Sequence, residues 1–360
     1  MSQRRTFAAL SAFLAAAIVA VAWFPDHATM AADEPKPAAP PAAADKANLV
    51  WKLEKGKTFF QKMTTETKQT MKVLNNDVSQ TQKQTFVFSW TPDEQKGDDW
   101  TITQKIVAVQ MDIDLGGSKI TYDSTKTDAP NNALGDFFKA LVGSEFKLTV
   151  NMPKDKQATV TKVEGRDDFL KKLTAANQQM KPLLDQILSD DALKQMAAPT
   201  FAALPNKEVA KGDHWDAKST LDMGPIGKYE NTFTYTYDGK NADAKEDAEK
   251  KWDKISAKTD LKYTPPDEKA QQGGLPFRIK SADLTSKDAT GTVYYDADKG
   301  RVARSKMDLK LNGKLNIEIG GQTTEVTLEQ TQTTSVDTSD ADPSKAAAPA
   351  APPAPPTPPK

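Results

Sequence analysis

Val209-Ala210-Lys211-Gly212-Asp213-His214-Trp215 is the stretch on which the reading of this 360-residue chain turns. It comes after an Ala-rich, helix-like segment and opens a strand-like run. Leu53-Glu54-Lys55-Gly56-Lys57-Thr58-Phe59 opens another in the same way: Lys-Gly, two polar residues, then a large aromatic. The runs downstream of the two starts are also alike. Phe86-Val87-Phe88-Ser89-Trp90 is answered by Phe233-Thr234-Tyr235-Thr236-Tyr237, and Trp100-Thr101-Ile102 by Trp252-Asp253-Lys254-Ile255. Side chains two apart on a strand share a face. Phe86, Phe88 and Trp90 therefore form one aromatic stripe, and Phe233, Tyr235 and Tyr237 a second. The spaced match predicts two related β-rich halves, 48–164 and 206–337, flanking a helical segment, 165–205. The expected class is α+β, mostly antiparallel β: two related curved sheets with the helical segment between and packed against them.

Within the first half, a turn at Asn75-Asn76-Asp77 separates two strands. In the run from Trp100 to Asp114, Val107, Val109, Met111 and Ile113 share a parity that Ile102 and Ile106 do not. A bulge near Ile106 restores one buried face. Gly116-Gly117 turns back into Lys119-Ile120-Thr121-Tyr122, a short helix is expected over 133–142, and 146–150 pairs with 158–163. In the second half, Tyr295 to Arg304 reads as a hairpin. Met307, Leu309 and Leu311 alternate up to Asn312-Gly313, a type I′ turn signal. Leu315, Ile317 and Ile319 then return to Gly320-Gly321. One apolar face per strand implies one covered side, so a membrane barrel is not expected.

The middle is amphipathic. Phe169, Leu170 and Leu173 form one stripe; Met180, Leu183, Leu184, Ile187 and Leu188 form another. Ser189 is placed to cap a third helix, with Asp190 and Asp191 favourable in its first turn. Pro199 and Pro205 are expected to end the helical region. Such stripes must be covered, so the helices are expected on the concave face of at least one sheet.

The termini point to export. Arg4-Arg5 precede an apolar run from Phe7 to Ala22 and small-residue cleavage sites, the form of a signal peptide over 1–32. The run is short for a membrane span, which needs about 20 residues, so the mature chain is expected to have no transmembrane span. Residues 33–47 read as a Pro/Ala-rich linker and 338–360 as a Pro/Ala-rich disordered tail. The expected location is periplasmic or extracellular.

Chemistry is harder to find. The formal net charge is −1 and no basic face is implied, so nucleic acid is not an expected partner. There is no Cys, which removes disulfides, thiolate nucleophiles and thiolate metal sites. His214 is the one histidine beyond the leader region; no His pair exists for a zinc site. Ser144-Glu145-Phe146-Lys147 fits Ser-x-x-Lys, but Lys147 leads into a strand instead of a helix, and the partner motifs are missing. Asp296, Asp298 and Gly300 resemble part of a calcium loop without its closing Glu; an Asp-rich turn explains them equally. No metal and no cofactor are expected. The two aromatic stripes remain as candidates for lining an apolar ligand site.

The two Lys-Gly-x-x-aromatic starts, Trp51 ahead of the first, and the Tyr-Asp-x-x-x-Gly-Arg-Val hairpin at Tyr295 to Val302 resemble an uncharacterised family of exported bacterial β-rich proteins, over roughly residues 49–336. That resemblance implies no activity. In shape, strands curved over amphipathic helices are similar to periplasmic lipoprotein carriers. Two function classes stay open. One is an exported non-catalytic envelope protein that binds a lipid, another apolar ligand or another envelope component. The other is a secreted hydrolase working through carboxylates. The missing His, Cys and nucleophile motifs favour the first.

Overall fold

A computed structural model describes residues 45–73, 76–126, 133–175, 178–267, 275 and 277–345. The expected leader, most of the linker, the Pro-rich end of the tail and the first residue of the Asn75-Asn76-Asp77 turn lie outside the described residues. The strands are β1 (Lys46–Leu49), β2 (Phe59–Val73), β3 (Asn76–Lys96), β4 (Asp99–Leu115), β5 (Ser118–Asp123), β6 (Glu145–Asn151), β7 (Thr159–Glu164), β8 (Lys207–Ala210), β9 (His214–Asp222), β10 (Lys228–Lys240), β11 (Asp253–Thr264), β12 (Arg278–Asp296), β13 (Arg301–Ile319) and β14 (Gln322–Ser339). The helices are α1 (Ala133–Leu141), α2 (Arg166–Thr174), α3 (Lys181–Ile187), α4 (Asp190–Ala197) and α5 (Pro199–Ala202). Two stretches expected to be spacer or tail contribute to strands: Lys46 and Ala47 lie in β1, and Thr338 and Ser339 end β14.

The chain is mostly antiparallel β, with short helices in the middle, as its patterning predicts. The two strand-rich halves are nevertheless not two separate sheets. Strands β7-β6-β4-β3-β2-β14-β13-β12-β11-β10-β9 form one continuous sheet, with β5 added beside β4; β1 and β8 form a separate pair. The seam is β2 against β14, in unbroken register from Phe60↔Ser339 to Val73↔Val326. Left apart, each would present a long unpaired edge, and joining removes both edges at once.

Alternation decides which face is buried. On β2, Phe59, Gln61, Thr65, Thr67, Gln69, Met71 and Val73 are buried, while Lys62, Glu66, Lys68 and Lys72 are exposed. On β14, Glu325, Glu329 and Thr331 likewise face solvent. A lipid-facing barrel wall loses about 2–4 kcal/mol for each Lys at the bilayer midplane, so this outer face is suited to water. No described helix is long and apolar enough to cross a membrane.

The bulge on β4 falls at Val107: Val87 pairs with Ala108, and Phe88 with Ile106. Ile102, Ile106, Val109, Met111 and Ile113 are all buried as a result. The same irregularity lets β4 change partner, from β6 over Asp99–Lys105 to β5 over Gln110–Leu115.

Asn312-Gly313 departs from expectation. It is not a turn, and β13 runs straight through it. Asn312 pairs with Thr285 on one side and Glu329 on the other. The reversal comes at Gly320-Gly321, where φ is 57° and 84°. Leu309, Leu311, Leu315 and Ile317 keep one parity across the pair, and both neighbouring strands continue past it. Gly313 is needed for a different reason, since a Cβ there would lie 1.9 Å from the carbonyl oxygen of Asp283 on β12.

The helices cover the inner face. Phe169, Leu173 and Leu184 belong to the main core together with Trp90, Ile102, Phe233 and Val293 of the sheet, and Ile187 and Leu188 pack against it. Helix α4 touches both outermost strands of the sheet, β7 and β9. It therefore bridges the sheet's two free edges. Ser189 caps α4, its Oγ accepting from Ala192 N at 3.1 Å. Arg166 ties α2 to the end of α3 by donating to Leu188 O (2.6 Å) and Asp185 O (2.9 Å). A cation there also complements the carbonyl end of the helix dipole.

Candidate functional site: an aromatic interior and its helical plug

The two Lys-Gly starts build the same local arrangement. Gly56 N donates to Pro92 O at 2.7 Å, and Gly212 N to Tyr237 O at 2.8 Å. Phe59 pairs with Trp90 and stacks on it at 6.3 Å; Trp215 pairs with Tyr235 and stacks at 5.8 Å. The segments just before them pair with each other as β1 and β8. The equivalence is local, because β2 sits inside the sheet while β9 is its edge.

All six candidate aromatics face the interior. Phe86 and Phe88 stack at 5.8 Å, and Phe88 meets Trp90 at 6.3 Å. Phe233 and Tyr235 stack at 6.0 Å. Phe86 and Phe88 are half-buried, whereas Trp90, Phe233, Tyr235 and Tyr237 are buried. The two stripes do not meet directly, because a piece of chain that the periodicity did not mark out lies between them. Residues 199–206 are all buried, and α5 is their helical part. Phe201, fully buried, lies 5.4 Å from the ring of Trp51 and 5.4 Å, edge-on, from Trp90.

This plug is pinned through its backbone. Trp51 Nε1 donates to Phe201 O at 2.9 Å, Trp215 Nε1 to Ala203 O at 3.3 Å, and Gln157 Nε2 to Ala202 O at 3.2 Å. Three otherwise unpaired carbonyls of a helix end are thereby satisfied. Both tryptophans announced themselves in the sequence, at the two strand starts. Phe201 did not, because Pro199 and Pro205 read as helix breakers. Pro199 instead occupies the first helical turn, where its missing N–H costs nothing.

Under the plug lies a cavity of about 30 Å³, lined by Pro199, Thr200 and Ala203 on one side and by Phe233, Tyr235, Val293, Ser305 and Met307 among those on the other. That is room for ordered water, not for an acyl chain. Near the end of the second stripe, Tyr237 Oη donates to Asp253 Oδ1 at 2.7 Å, and Lys240 reaches the same carboxylate at 2.9 Å. This buried Asp253 is paired on both sides, as a buried charge must be.

Buried tyrosines dominate the titration of the interior. Burial pushes Tyr295 up to about 12 from 10.0. It raises Tyr229, Tyr235, Tyr237 and Tyr263 as well, Tyr237 also through its bond to Asp253. The folded state thus holds these protons when the unfolded chain has released them. Stability is full below the unfolded value near 10 and falls as pH rises through the folded values. Alkaline titration is expected to show tyrosinate absorbance from the buried tyrosines appearing together with loss of the near-UV dichroism. Their ionisation near pH 10 in a still-folded protein would mean that the interior is open to water.

The other candidates find structural roles. His214 is exposed at the start of β9. Ser144 Oγ donates to Ala140 O at 3.2 Å, and Lys147 points outward from β6. Asp296 Oδ1 accepts from Asp298 N and Lys299 N, closing the β12–β13 turn. A polar surface groove beside α4 holds two carboxylates, Asp191 and Asp222. Both are exposed; Asp191 pairs with Lys194 at 2.5 Å, and Asp222 accepts from Gly224 N at 2.9 Å. Among the described residues no group of three His, Asp or Glu side chains is placed to hold a metal ion.

The sequence from 97 to 342 matches a family profile, that of DUF6263. The chain belongs to this family of unknown function. The match leaves out Trp51 and the first Lys-Gly start and takes in the second start and the β12–β13 hairpin. No curated protein matches the chain. Among solved structures the likeness is weak. Lipovitellin, in a structure on lipid–protein interactions, is 9% identical with a TM-score of 0.37, over 83% of this chain and 27% of that one. The chain thus spans about a quarter of lipovitellin's length. The translocator domain of the autotransporter NalP from Neisseria meningitidis is 6% identical with a TM-score of 0.20, over 78% and 88%. OccK11 from Pseudomonas aeruginosa is 8% identical with a TM-score of 0.20, over 81% and 100%.

Proposed function

We propose that this member of the DUF6263 family is an exported, non-catalytic binding protein of the cell envelope. Its ligand is an apolar chain held between the sheet and the helical segment. The observation that carries this reading is the pair of inward-facing aromatic stripes, Phe86-Phe88-Trp90 and Phe233-Tyr235-Tyr237, on either side of a separate piece of chain, with Phe233 and Tyr235 of the second lining a small cavity beneath it. The cavity as it stands admits no acyl chain, so binding requires residues 199–204 to move aside. Three side-chain hydrogen bonds to the plug's backbone oppose that movement, and the apolar area a ligand would cover favours it at about 25 cal/mol per Å². Export rests on the leader-like N-terminus. Among the described residues the two carboxylates that share a groove, Asp191 and Asp222, are held by partners of their own on an open surface, which does not favour the hydrolase alternative.

Native mass spectrometry of the protein purified from its own envelope tests the reading. A bound lipid-sized mass that is lost on unfolding is the expected result. A mass equal to the polypeptide alone, together with no uptake of an added apolar fluorophore, would end it.

A further inference from the structure

The inner face of the sheet changes character halfway along β3. Trp90, Phe88 and Phe86 give way on the same face to Gln84, Gln82 and Gln80. The change extends sideways. Thr65, Thr67 and Gln69 of β2 stand opposite Gln84, Gln82 and Gln80. On the other side of β2 they stand opposite Thr334, Gln332 and Gln330 of β14. The result is a lattice of neutral polar side chains, three strands wide and three residues deep. None is more than 6% exposed. Beyond it the same strands turn apolar again, at Met71 and Leu328, where a second core cluster begins.

The lattice is poorly bonded for its depth. Its internal contacts are long: Thr65–Thr334 at 3.3 Å, and Gln80–Gln82, Gln330–Gln332 and Gln332–Thr334 at 3.4 Å each. Gln69 has no protein partner at either end of its amide, and Thr67 Oγ1, Gln80 Oε1 and Gln330 Oε1 have none either. Buried polar groups normally find partners, because leaving one unmade forfeits its hydration without return. A sheet of this size could fill these positions with Val and Leu, as it does on either side. The lattice carries amide donors, amide acceptors and hydroxyls, and no charged side chain.

We propose that the lattice is the polar subsite of the interior, and that it takes the neutral hydrogen-bonding group of an amphiphile: a hydroxyl, ester, amide or sugar, not a carboxylate or phosphate. This rests on the apolar-ligand reading above and narrows it. The aromatic stripe and the lattice are consecutive on one strand face, so a chain lying along Phe86 to Trp90 brings its polar end to Gln84. In the closed state the lattice is sealed, and its long bonds are the ones a ligand's polar group replaces. An anionic head would lose its hydration there with no cation to meet it.

The test uses the full chain stripped of bound lipid, with three probes below their aggregation concentrations: monolauroylglycerol, laurate and N-phenylnaphthylamine. Titrations are read by tryptophan fluorescence. Monolauroylglycerol is expected to bind at least about tenfold more tightly than laurate, the factor that one well-made buried hydrogen bond provides. A Gln69→Met/Gln80→Met variant, which keeps the volume, is expected to lose that preference while still taking up N-phenylnaphthylamine. Equal affinities, tighter laurate, or a preference that survives in the variant would overturn the subsite. If N-phenylnaphthylamine binds without any preference between the other two, the subsite falls and the apolar-ligand reading stands. If none of the three binds, both fall.

Discussion

Replacing Gly313 with alanine is expected to destabilise the protein by about 3 kcal/mol or more, the upper range for forcing an extra methyl into a filled space. The added Cβ would lie 1.9 Å from the carbonyl oxygen of Asp283 and 2.9 Å from the Cα of Leu284. Both are backbone atoms in the middle of β12, where the register Leu284↔Gly313 leaves no slack. A flexible side chain could move away, but a paired strand cannot. Asn312→Val supplies the control. Asn312 is exposed in mid-strand, so a β-branched residue there is expected to be neutral or mildly stabilising. In a type I′ turn the same substitution would be costly, since both central residues need positive φ. Urea unfolding of the two variants therefore separates a turn from a strand at this position. A damaging Asn312→Val would restore the turn, whereas Gly313→Ala is costly in either arrangement.

Phe201→Ala is the second large effect. Phe201 is fully buried and packs on Trp51 and Trp90. Truncating such a residue costs about 3–5 kcal/mol, the lost transfer energy plus the cavity left behind. Both neighbouring indoles are expected to report it through a red-shifted emission. The same variant enlarges the space beneath the plug. If the interior binds apolar chains, Phe201→Ala is therefore expected to take up an apolar fluorophore more readily than the parent while unfolding at lower urea. A midpoint within 1 kcal/mol of the parent, on the roughly 0.5–3 kcal/mol scale of ordinary substitutions, would show that the segment is not packed as described.

Much of the architecture was legible because the signals are local. A period of two along β2, β3, β4, β13 and β14 identifies strands and their buried face without knowledge of any partner. The parity break between Ile106 and Val109 placed the bulge for the same reason: one buried face cannot hold both parities without an extra residue. Ser189 with two Asp residues after it gave the start of α4. The six candidate aromatics were found by the same periodicity, and the structure puts all of them on the inner face.

What local pattern could not give was partnership. Nothing in Phe59 to Val73 says that its second neighbour is a strand more than 250 residues away, since backbone groups pair with any extended segment of suitable register. That pairing turned two expected sheets into one. Asn312-Gly313 misled for a related reason. Asn-Gly favours a turn when the strand has to reverse there, and two long neighbours held this one straight.

The sequence alone therefore determined the strand faces, the helical middle and the aromatic stripes. All of these depend on residues a few positions apart. Tertiary structure decided the single sheet, the use of Pro199 to Leu204 as a plug, and the burial of the Gln and Thr lattice. Those side chains look like surface residues in the sequence, and only their shared parity with Phe86, Phe88 and Trp90 hints otherwise. Their burial comes from what covers the sheet, and cover depends on the whole chain having closed around its own inner face.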